Sequence, residues 1–178
     1  MKRLTPELYA LSAFDGTITG GDTLETRELD FNLSRRSAIV INQITGQMNV
    51  GPAVAADHFT SVVQELDLDP DNLDVWQGSP TPDAIEYDSS RVYRQIMAVI
   101  VSIVATSSLA VTQYGILEKD WHNVPIEMRP ISITNMRHHV NAVSGPASAD
   151  SYHAELHIYY AIYELSLDEL GIINASRR

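Results

Sequence analysis

The chain has 178 residues and no cysteine, and 23 acidic side chains against 12 basic ones give a formal net charge of -11. The missing cysteines exclude disulfides, thiolate catalysis and cysteine-bound zinc or iron–sulfur centres. The acid excess argues against direct binding of nucleic acid, because phosphate groups are bound by basic surfaces. A chain of this length is typical of one domain, and we predict a single domain over residues 1–178.

The bases are unusual in kind, since only Lys2 and Lys119 are lysines and the rest are arginines. An acid excess with few lysines resembles the proteins of salt-loving archaea and their viruses. At about 1 M salt the Debye length falls to roughly 3 Å, so like charges repel weakly while carboxylates keep the surface hydrated. The composition therefore indicates a halophilic source.

Short apolar runs separated by turn residues predict about eight antiparallel strands. In chain order these cover residues 8–14, 24–33, 38–45, 58–68, 91–104, 109–117, 131–140 and 152–165. Residues 58–68 fit helical spacing as well as strand spacing, and the neighbouring segments favour a strand. Residues 69–90 contain three prolines and many acids and predict the longest loop.

Glycines and small polar residues indicate where the strands end. Asp15-Gly16 is expected to form the first turn, and Gly20-Gly21, Ser34-Arg35-Arg36 and Gly46 are expected to interrupt the chain again. Strands at this spacing without alternating helices favour a sandwich or barrel over βαβ units. We predict an all-β fold, a single jelly roll of two packed sheets with a short C-terminal helix.

The last predicted strand has an apolar face and a polar face. The apolar face is expected to be buried and carries Ala154, Leu156, Ile158, Tyr160 and Ile162. The polar face is expected to be exposed to solvent and carries His153, Glu155, His157, Tyr159 and Tyr163. Ser166 and Glu169 then form the sequence pattern of a capping box, which predicts a helix that ends near Gly171.

The segment from Gln95 to Leu117 contains no charged residue. A membrane-spanning helix needs about 20 predominantly apolar residues. Here Thr106-Ser107-Ser108 and the polar residues of 112–115 interrupt the apolar run. Two buried strands joined by a turn are the better interpretation.

No segment carries a strong catalytic motif. Phe14-Asp15-Gly16-Thr17 resembles the first motif of haloacid-dehalogenase-type phosphatases, but Ala13 stands where the nucleophilic aspartate is required. Without that carboxylate no phospho-enzyme can form. We therefore expect no enzyme activity and assign no catalytic or cofactor-binding residue.

Two patterns carry possible metal ligands. Asp67, Asp69 and Asp71 alternate as in a calcium loop, but the glycine and glutamate that such a loop requires are missing, so a solvated acidic loop is expected. His153, Glu155 and His157 could hold a first-row metal from one strand face, although a wet strand face is the simpler interpretation. We assign no metal site.

The segment from Glu28 to Arg36 reads as a strand that ends in a double-arginine turn, and Leu156 to Ser166 reads as a terminal strand before a short acidic helix. In these features the chain resembles single jelly-roll major capsid proteins of the sphaerolipovirus type, which build membrane-containing icosahedral virions. The resemblance implies a small structural coat subunit that assembles with copies of itself and with a second coat protein, over a viral membrane. It implies no catalytic residues and places the protein in the virion.

Aromatic residues are enriched where protein surfaces meet. The candidate contact residues are Trp76, Trp121, Tyr87 and Tyr93. One alternative is a jelly-roll module that binds carbohydrate through an exposed Trp or Tyr, with calcium near Asp67 to Asp71. A second alternative is a cupin-like metalloenzyme that uses His153, Glu155 and His157.

Overall fold

A computed structural model describes residues 1–50, 58–68, 95–106, 109–110 and 115–176. In these ranges the chain forms nine strands, one 3-10 helix and one α-helix. The strands are β1 Lys2–Arg3, β2 Leu8–Leu29, β3 Ser37–Val50, β4 His58–Asp67, β5 Gln95–Thr106, β6 Leu109–Ala110, β7 Gly115–Asp120, β8 Ile131–Ser132 and β9 Met136–Glu164. The 3-10 helix Ile126–Met128 lies between β7 and β8, and the α-helix α1 spans Leu167–Ser176. The predictions for Asp69, Asp71, Trp76, Tyr87, Tyr93 and the acidic loop lie outside the described residues.

Two long strands, β2 and β9, form an antiparallel ribbon that runs from Leu8 opposite Tyr160 to Leu29 opposite Met136. The other edge of β9 has two different neighbours. Residues 137–144 pair with β4, which continues to β5 and β6, whereas residues 152–164 pair with β3, which is flanked by β7 and β8. The ribbon therefore belongs to two antiparallel sheets, which we call the β3 sheet and the β4 sheet.

The ribbon changes register where it passes from one sheet to the other. Thr19 lies opposite Ala149, but Gly21 lies opposite Ser144, so β9 passes residues 145–148 while β2 passes only residue 20. Such an irregularity bends a strand and increases its twist. The predicted hairpin turn at Gly20-Gly21 is wrong, since the chain continues here as one strand.

The core lies between the two sheets. The largest buried cluster joins Ile39, Ile41 and Ile44 of β3 to Leu66 of β4 and to residues from both halves of β9. A second cluster likewise places Val62 and Val140 of the β4 sheet against the β3 sheet. The prediction of an all-β, jelly-roll-like fold with two packed antiparallel sheets and a short C-terminal helix is confirmed. Residues 58–67 are a strand, as the neighbouring segments indicated.

Gly16 and Gly46 were also expected at turns but lie inside strands. Gly16 sits opposite Tyr152, and a β-carbon at Gly16 would lie 2.5 Å from Cε1 of that ring. Gly46 is similarly close to Gln64. A β-carbon added at residue 46 would lie 2.7 Å from Nε2 of Gln64. Glycine is required at these positions by the close approach of a larger side chain, and not by a turn.

The second predicted strand ends earlier than expected, at Leu29. Asp30 Oδ1 accepts a hydrogen bond from the backbone N–H of Asn32, whose φ is 48°. Such a hydrogen bond from the backbone to a nearby side chain favours a turn over further strand pairing, so the chain leaves the sheet after Leu29. Leu29, Phe31 and Leu33 nevertheless pack against the core, as their spacing indicated, and the turn at Ser34 is confirmed by a bond from Ser37 N to Ser34 O.

The terminal half of β9 alternates as predicted up to Tyr160. Ala154, Leu156 and Ile158 are buried, and His153, Glu155 and His157 are partly exposed. The prediction that Tyr163 faces solvent is wrong, because Met1, Ile126 and Ile131 pack over Ala161 and Tyr163 on the outer side of the sheet. The local bulge at Asn42 of β3 marks the place where this outer side becomes covered.

The capping box at the start of α1 is confirmed. The backbone N–H of Ser166 donates to Glu169 Oε2 at 2.8 Å, and the N–H of Glu169 donates back to Ser166 Oγ at 3.3 Å. The helix does not end near Gly171, as predicted, but continues to Ser176. The space around Gly171 is open, so nothing forces the chain to break there.

Ser166→Ala removes the hydroxyl that accepts from the Glu169 N–H and leaves the backbone N–H of residue 166 bonded to Glu169. We expect it to lower the free energy of unfolding by about 1 kcal/mol, because an N-terminal helix N–H loses its acceptor. Chemical denaturation monitored by circular dichroism measures the change. Ser151→Ala, at an exposed position of β9, is the matched control and should change stability by less than about 0.5 kcal/mol; an equal loss in both variants would contradict the role of the cap.

The uncharged segment 95–117 contains β5, β6 and the start of β7. Thr106 pairs with Leu109, and Ala105 with Ala110, so the first two of these strands run antiparallel on either side of residues 107–108. The prediction of strands in place of a membrane-spanning helix is confirmed for these residues, and the predicted turn at 107–108 lies outside the described residues. Among the described residues, no helix has the length and apolar character needed to cross a membrane.

Candidate interaction face of the long ribbon

The most distinctive polar and aromatic surface lies on the outer side of the β3 sheet, where β2 runs beside β9. We call it the outer ribbon face, and it comprises Tyr9, Leu11, Asp15, His153, Glu155, His157 and Tyr159. Strand alternation places these residues on one side, because Tyr9 lies opposite Tyr159, Leu11 opposite His157 and Asp15 opposite His153. The intervening residues Ser12, Phe14, Ala154 and Leu156 point into the core.

A continuous row of hydrogen bonds runs along this face. Asp15 Oδ1 lies 2.7 Å from His153 Nδ1, and His153 Nε2 lies 3.4 Å from Glu155 Oε2. The other oxygen of Glu155 lies 3.2 Å from His157 Nε2. His157 Nδ1 then lies 2.8 Å from the Tyr9 hydroxyl. With its proton on Nε2, the His157 ring donates to Glu155 and accepts from Tyr9.

The row alternates acids with bases, and this changes their proton affinities. The hydrogen bond to Asp15 raises the pKa of His153 above its ordinary value, and the bond to Glu155 adds to the effect. Hydrogen bonds from His157 and His153 lower the pKa of Glu155. Near neutral pH Glu155 is therefore ionised and accepts hydrogen bonds from the imidazole rings beside it. These residues are partly exposed, so the ion pairs contribute little to stability.

Asp15→Asn is expected to lower the pKa of His153 towards its ordinary value, because the carboxylate that stabilises the imidazolium is lost. Titration of the histidine ring signals by NMR measures the pKa. Asp120→Asn is the matched control, since Asp120 lies 2.6 Å from His122 and contributes to the raised pKa of that histidine instead. Equal pKa values of His153 in wild type and Asp15→Asn would contradict the hydrogen bond.

His153, Glu155 and His157, the possible metal ligands, do lie side by side, but their geometry differs from that of a metal centre. Both ring nitrogens of His153 face carboxylates, and those of His157 face Glu155 and Tyr9. Among the side chains that the structure describes, no three His, Asp or Glu groups are arranged so that they could hold a metal ion. The triad also lies on the outer side of a sheet, whereas the core lies on the other side.

Two large apolar side chains stand on the same face. Tyr9 is 50% exposed and Leu11 is 52% exposed. The Tyr9 ring lies against Tyr159, with 5.3 Å between the ring centroids, and also contacts the His157 ring. Tyr9 and Leu11 therefore form a small exposed apolar patch beside the polar row.

A second polar network fixes the chain between β7 and β8 against the bulge in β3. His122 Nε2 lies 2.9 Å from Glu7 Oε2, and Asn42 Nδ2 donates to the same oxygen. Arg129 donates to Asn42 Oδ1 and to the carbonyl of His122. Trp121, a candidate contact residue, is partly buried and packs against the core. This network fixes the loop to β3.

Two neighbouring histidines of β9, His138 and His139, are buried on opposite sides of the sheet, as expected for adjacent strand positions. His138 Nδ1 lies 2.9 Å from Ser12 Oγ of the β3 sheet, and Nε2 lies 3.2 Å from Gln64 Oε1 of the β4 sheet. His139 Nδ1 lies 2.9 Å from Thr26 Oγ1. His138 therefore joins the two sheets by polar contacts inside an otherwise apolar core.

Burial lowers the pKa values of both histidines. The pKa of His138 falls to about 3, chiefly through loss of water contact and then through the charges of His139 and Arg27. The pKa of His139 falls to about 4 by burial and by the nearby Arg137. Both rings are consequently neutral at physiological pH.

The remaining sequence-predicted residues are dispersed. Asp67, at the end of β4, is buried, while the rest of the calcium-like pattern lies outside the described residues. Ala13 and Asp15 lie in the middle of β2, opposite Glu155 and His153, so the phosphatase-like motif does not sit at a strand end.

No family of known proteins matches the sequence, and no curated protein matches it either.

Tyr9 and Leu11 were not predicted as contact residues. A signal was present in the sequence, because residues 8–14 are apolar on both strand faces: Leu8, Ala10 and Phe14 alternate with Tyr9, Leu11 and Ala13. A half-buried strand needs only one apolar face.

Proposed function

We propose that the chain is a structural coat protein that assembles with copies of itself, together with a second coat protein, into an icosahedral viral shell of the sphaerolipovirus type. Its work in the virion is repeated symmetric contact and not catalysis. The exposed pair Tyr9 and Leu11 on the outer ribbon face is the observation that carries this proposal. A rigid sheet with outward apolar side chains suits a subunit whose surface is completed by neighbours.

Two further features support a coat protein. The two-sheet, jelly-roll-like architecture is common among viral capsid proteins. The net charge of -11 suits assembly at high salt, where screening reduces the repulsion between subunits. Both features agree with the resemblance in residues 28–36 and 156–166.

Sedimentation velocity in low and high salt tests the proposal. At about 1 M salt we expect large assemblies, and at about 0.1 M salt, where the Debye length is roughly 10 Å, we expect them to dissociate. A sucrose solution of equal osmotic strength is the control, because it screens no charge. Assemblies that are indifferent to salt, or a monomer in every buffer, would contradict the proposal.

A carbohydrate-binding module is the second candidate, and the half-exposed Tyr9 ring, tilted by 48° against the ring of Tyr159, favours it. Aromatic faces of this kind can pack against the apolar face of a sugar. The same sedimentation experiment separates the two candidates. A stable monomer whose tyrosine fluorescence responds to added oligosaccharide would favour the module.

A further inference from the structure

The outer edge of the β3 sheet has backbone groups available for another strand. β2 pairs with β9 along one edge, and within the described residues no strand pairs with its other edge. β1 lies on the same side of β9, since Lys2 pairs with Glu164 and Arg3 with Tyr163. We call β1 together with residues 8–17 of β2 the open edge. N–H and C=O groups at such an edge can form a new ladder.

The part of the open edge from Leu8 to Phe14 contains no charged residue and no proline. Charged side chains, prolines and bulges normally prevent pairing between proteins. The outward-facing side chains in this part are Tyr9 and Leu11, both about half exposed. Asp15 follows at one end, and Pro6 and the exposed Glu7 lie at the other end, between this part and β1.

We propose that the open edge pairs with the open edge of a second copy, antiparallel, about a two-fold axis at Ala10. The register along β9 supports this centre. Ala10 lies opposite Ile158, while Arg3 lies opposite Tyr163 and Asp15 lies opposite His153. Their partners Tyr163 and His153 are each five positions from Ile158 along β9, in opposite directions, although residues 4–7 of the edge stand opposite only two residues of β9. A two-fold axis at Ala10 superposes the basic end of one copy on the acidic end of the other.

This arrangement is complementary in charge and in polarity. Arg3 of each copy meets Asp15 of the other, and Tyr9 of each copy meets Leu11 of the other. Arg3 is exposed while its Nε donates to the Thr5 carbonyl, and the Asp15 side chain is 81% exposed while its Oδ1 is bonded to His153, so both charged groups can still be reached from solvent. A surface with net charge -11 would otherwise repel its own copy, and the two basic residues of β1 relieve that repulsion locally. Such a contact is isologous, because both copies use the same surface, and it produces a closed dimer.

The inference rests on the proposed function in one respect, since it names the surface through which a self-assembling subunit meets its first neighbour. Strand addition supplies affinity through main-chain hydrogen bonds, and the side chains on either side supply specificity. A pair of β3 sheets joined at this edge would form one continuous sheet across two subunits.

A charge-swap series tests the pairing at one fixed salt concentration at which the wild-type chain associates. Arg3→Asp and Asp15→Arg each place like charges opposite one another at two symmetric points. We expect each to raise the dimer dissociation constant at least about tenfold, measured by sedimentation equilibrium. The double variant Arg3→Asp/Asp15→Arg restores both pairs and should return to within about threefold of wild type.

Matched controls separate the edge from general charge effects. Arg35→Asp and Glu127→Arg make the same charge changes at exposed positions away from the edge, and both should leave the constant unchanged within about threefold. Leu11→Lys should weaken the dimer, whereas Met128→Lys, at a residue that is 73% exposed, should not. Circular dichroism and thermal unfolding establish that each variant is folded.

The outcomes distinguish this inference from the proposed function. If the wild type forms shells and the charge-swap series has no effect, the edge pairing is overturned and the coat-protein proposal stands. If the series behaves as expected but no shell forms at any salt concentration, the pairing stands and the coat-protein proposal falls. A chain that stays monomeric at all concentrations overturns both.

Discussion

Acidification from about pH 7 to about pH 4 is expected to lower the free energy of unfolding by several kcal/mol, because His138 and His139 are buried as neutral rings. Their folded-state pKa values are about 3 and about 4, against an ordinary value of 6.5. Below pH 6.5 the unfolded chain therefore binds protons that the folded chain does not, at a cost of about 1.4 kcal/mol per pKa unit. The full stability is present above pH 6.5 and is lost as the pH falls towards 3.

Urea denaturation at a series of pH values measures this effect. His138→Gln keeps polar atoms near Ser12 and Gln64 and should flatten the slope of stability against pH between about 6.5 and 4. His139→Gln is the second variant, in case the first is too unstable to study. His122→Gln is the control, because His122 is exposed and its pKa is raised. Identical slopes in all four proteins would contradict the burial of neutral histidines.

Gly16→Ala is expected to destabilise the fold by about 1–3 kcal/mol, the range for overpacking a well-filled core. The new β-carbon would lie 2.5 Å from Cε1 and 2.7 Å from Cζ of Tyr152. That ring is 3% exposed and is enclosed by Phe14, Met48 and Val62, so it has little room to move. Chemical denaturation of the purified variants gives the difference.

Gly171→Ala is the matched control for the glycine substitution. A β-carbon at Gly171 meets nothing within 4 Å and lies in α1, so the change should stabilise the chain by about 0.5–1 kcal/mol. The double variant Gly16→Ala/Tyr152→Ala should cost less than the sum of the two single variants, because removal of the ring removes the clash. Strict additivity would contradict the proposed contact.

Patterns that depend on neighbours along the chain predicted the structure well. The alternation in residues 152–160 identified the buried face of β9, and Ser166 and Glu169 identified the start of α1, because both effects arise within a few residues. The strand-rich, all-β class followed in the same way from many short apolar runs.

Features that depend on distant residues could not be read from these patterns. A glycine in a turn and a glycine under an aromatic ring look alike in sequence, so Gly16 and Gly46 were misassigned. The cover over Tyr163 comes from Met1 and from the segment around Ile126 and Ile131, which are far away in the chain. The proposed contact surface at Tyr9 and Leu11 depends on the position of β2 at a sheet edge, which local patterns do not give.

Electron microscopy of the purified protein at about 1 M salt tests the central claim most directly. The account predicts closed, regular particles or ordered arrays built from repeated copies of the chain, with adjacent subunits joined at the open edge. A field of single, separate molecules at the same salt concentration and at high protein concentration would contradict it.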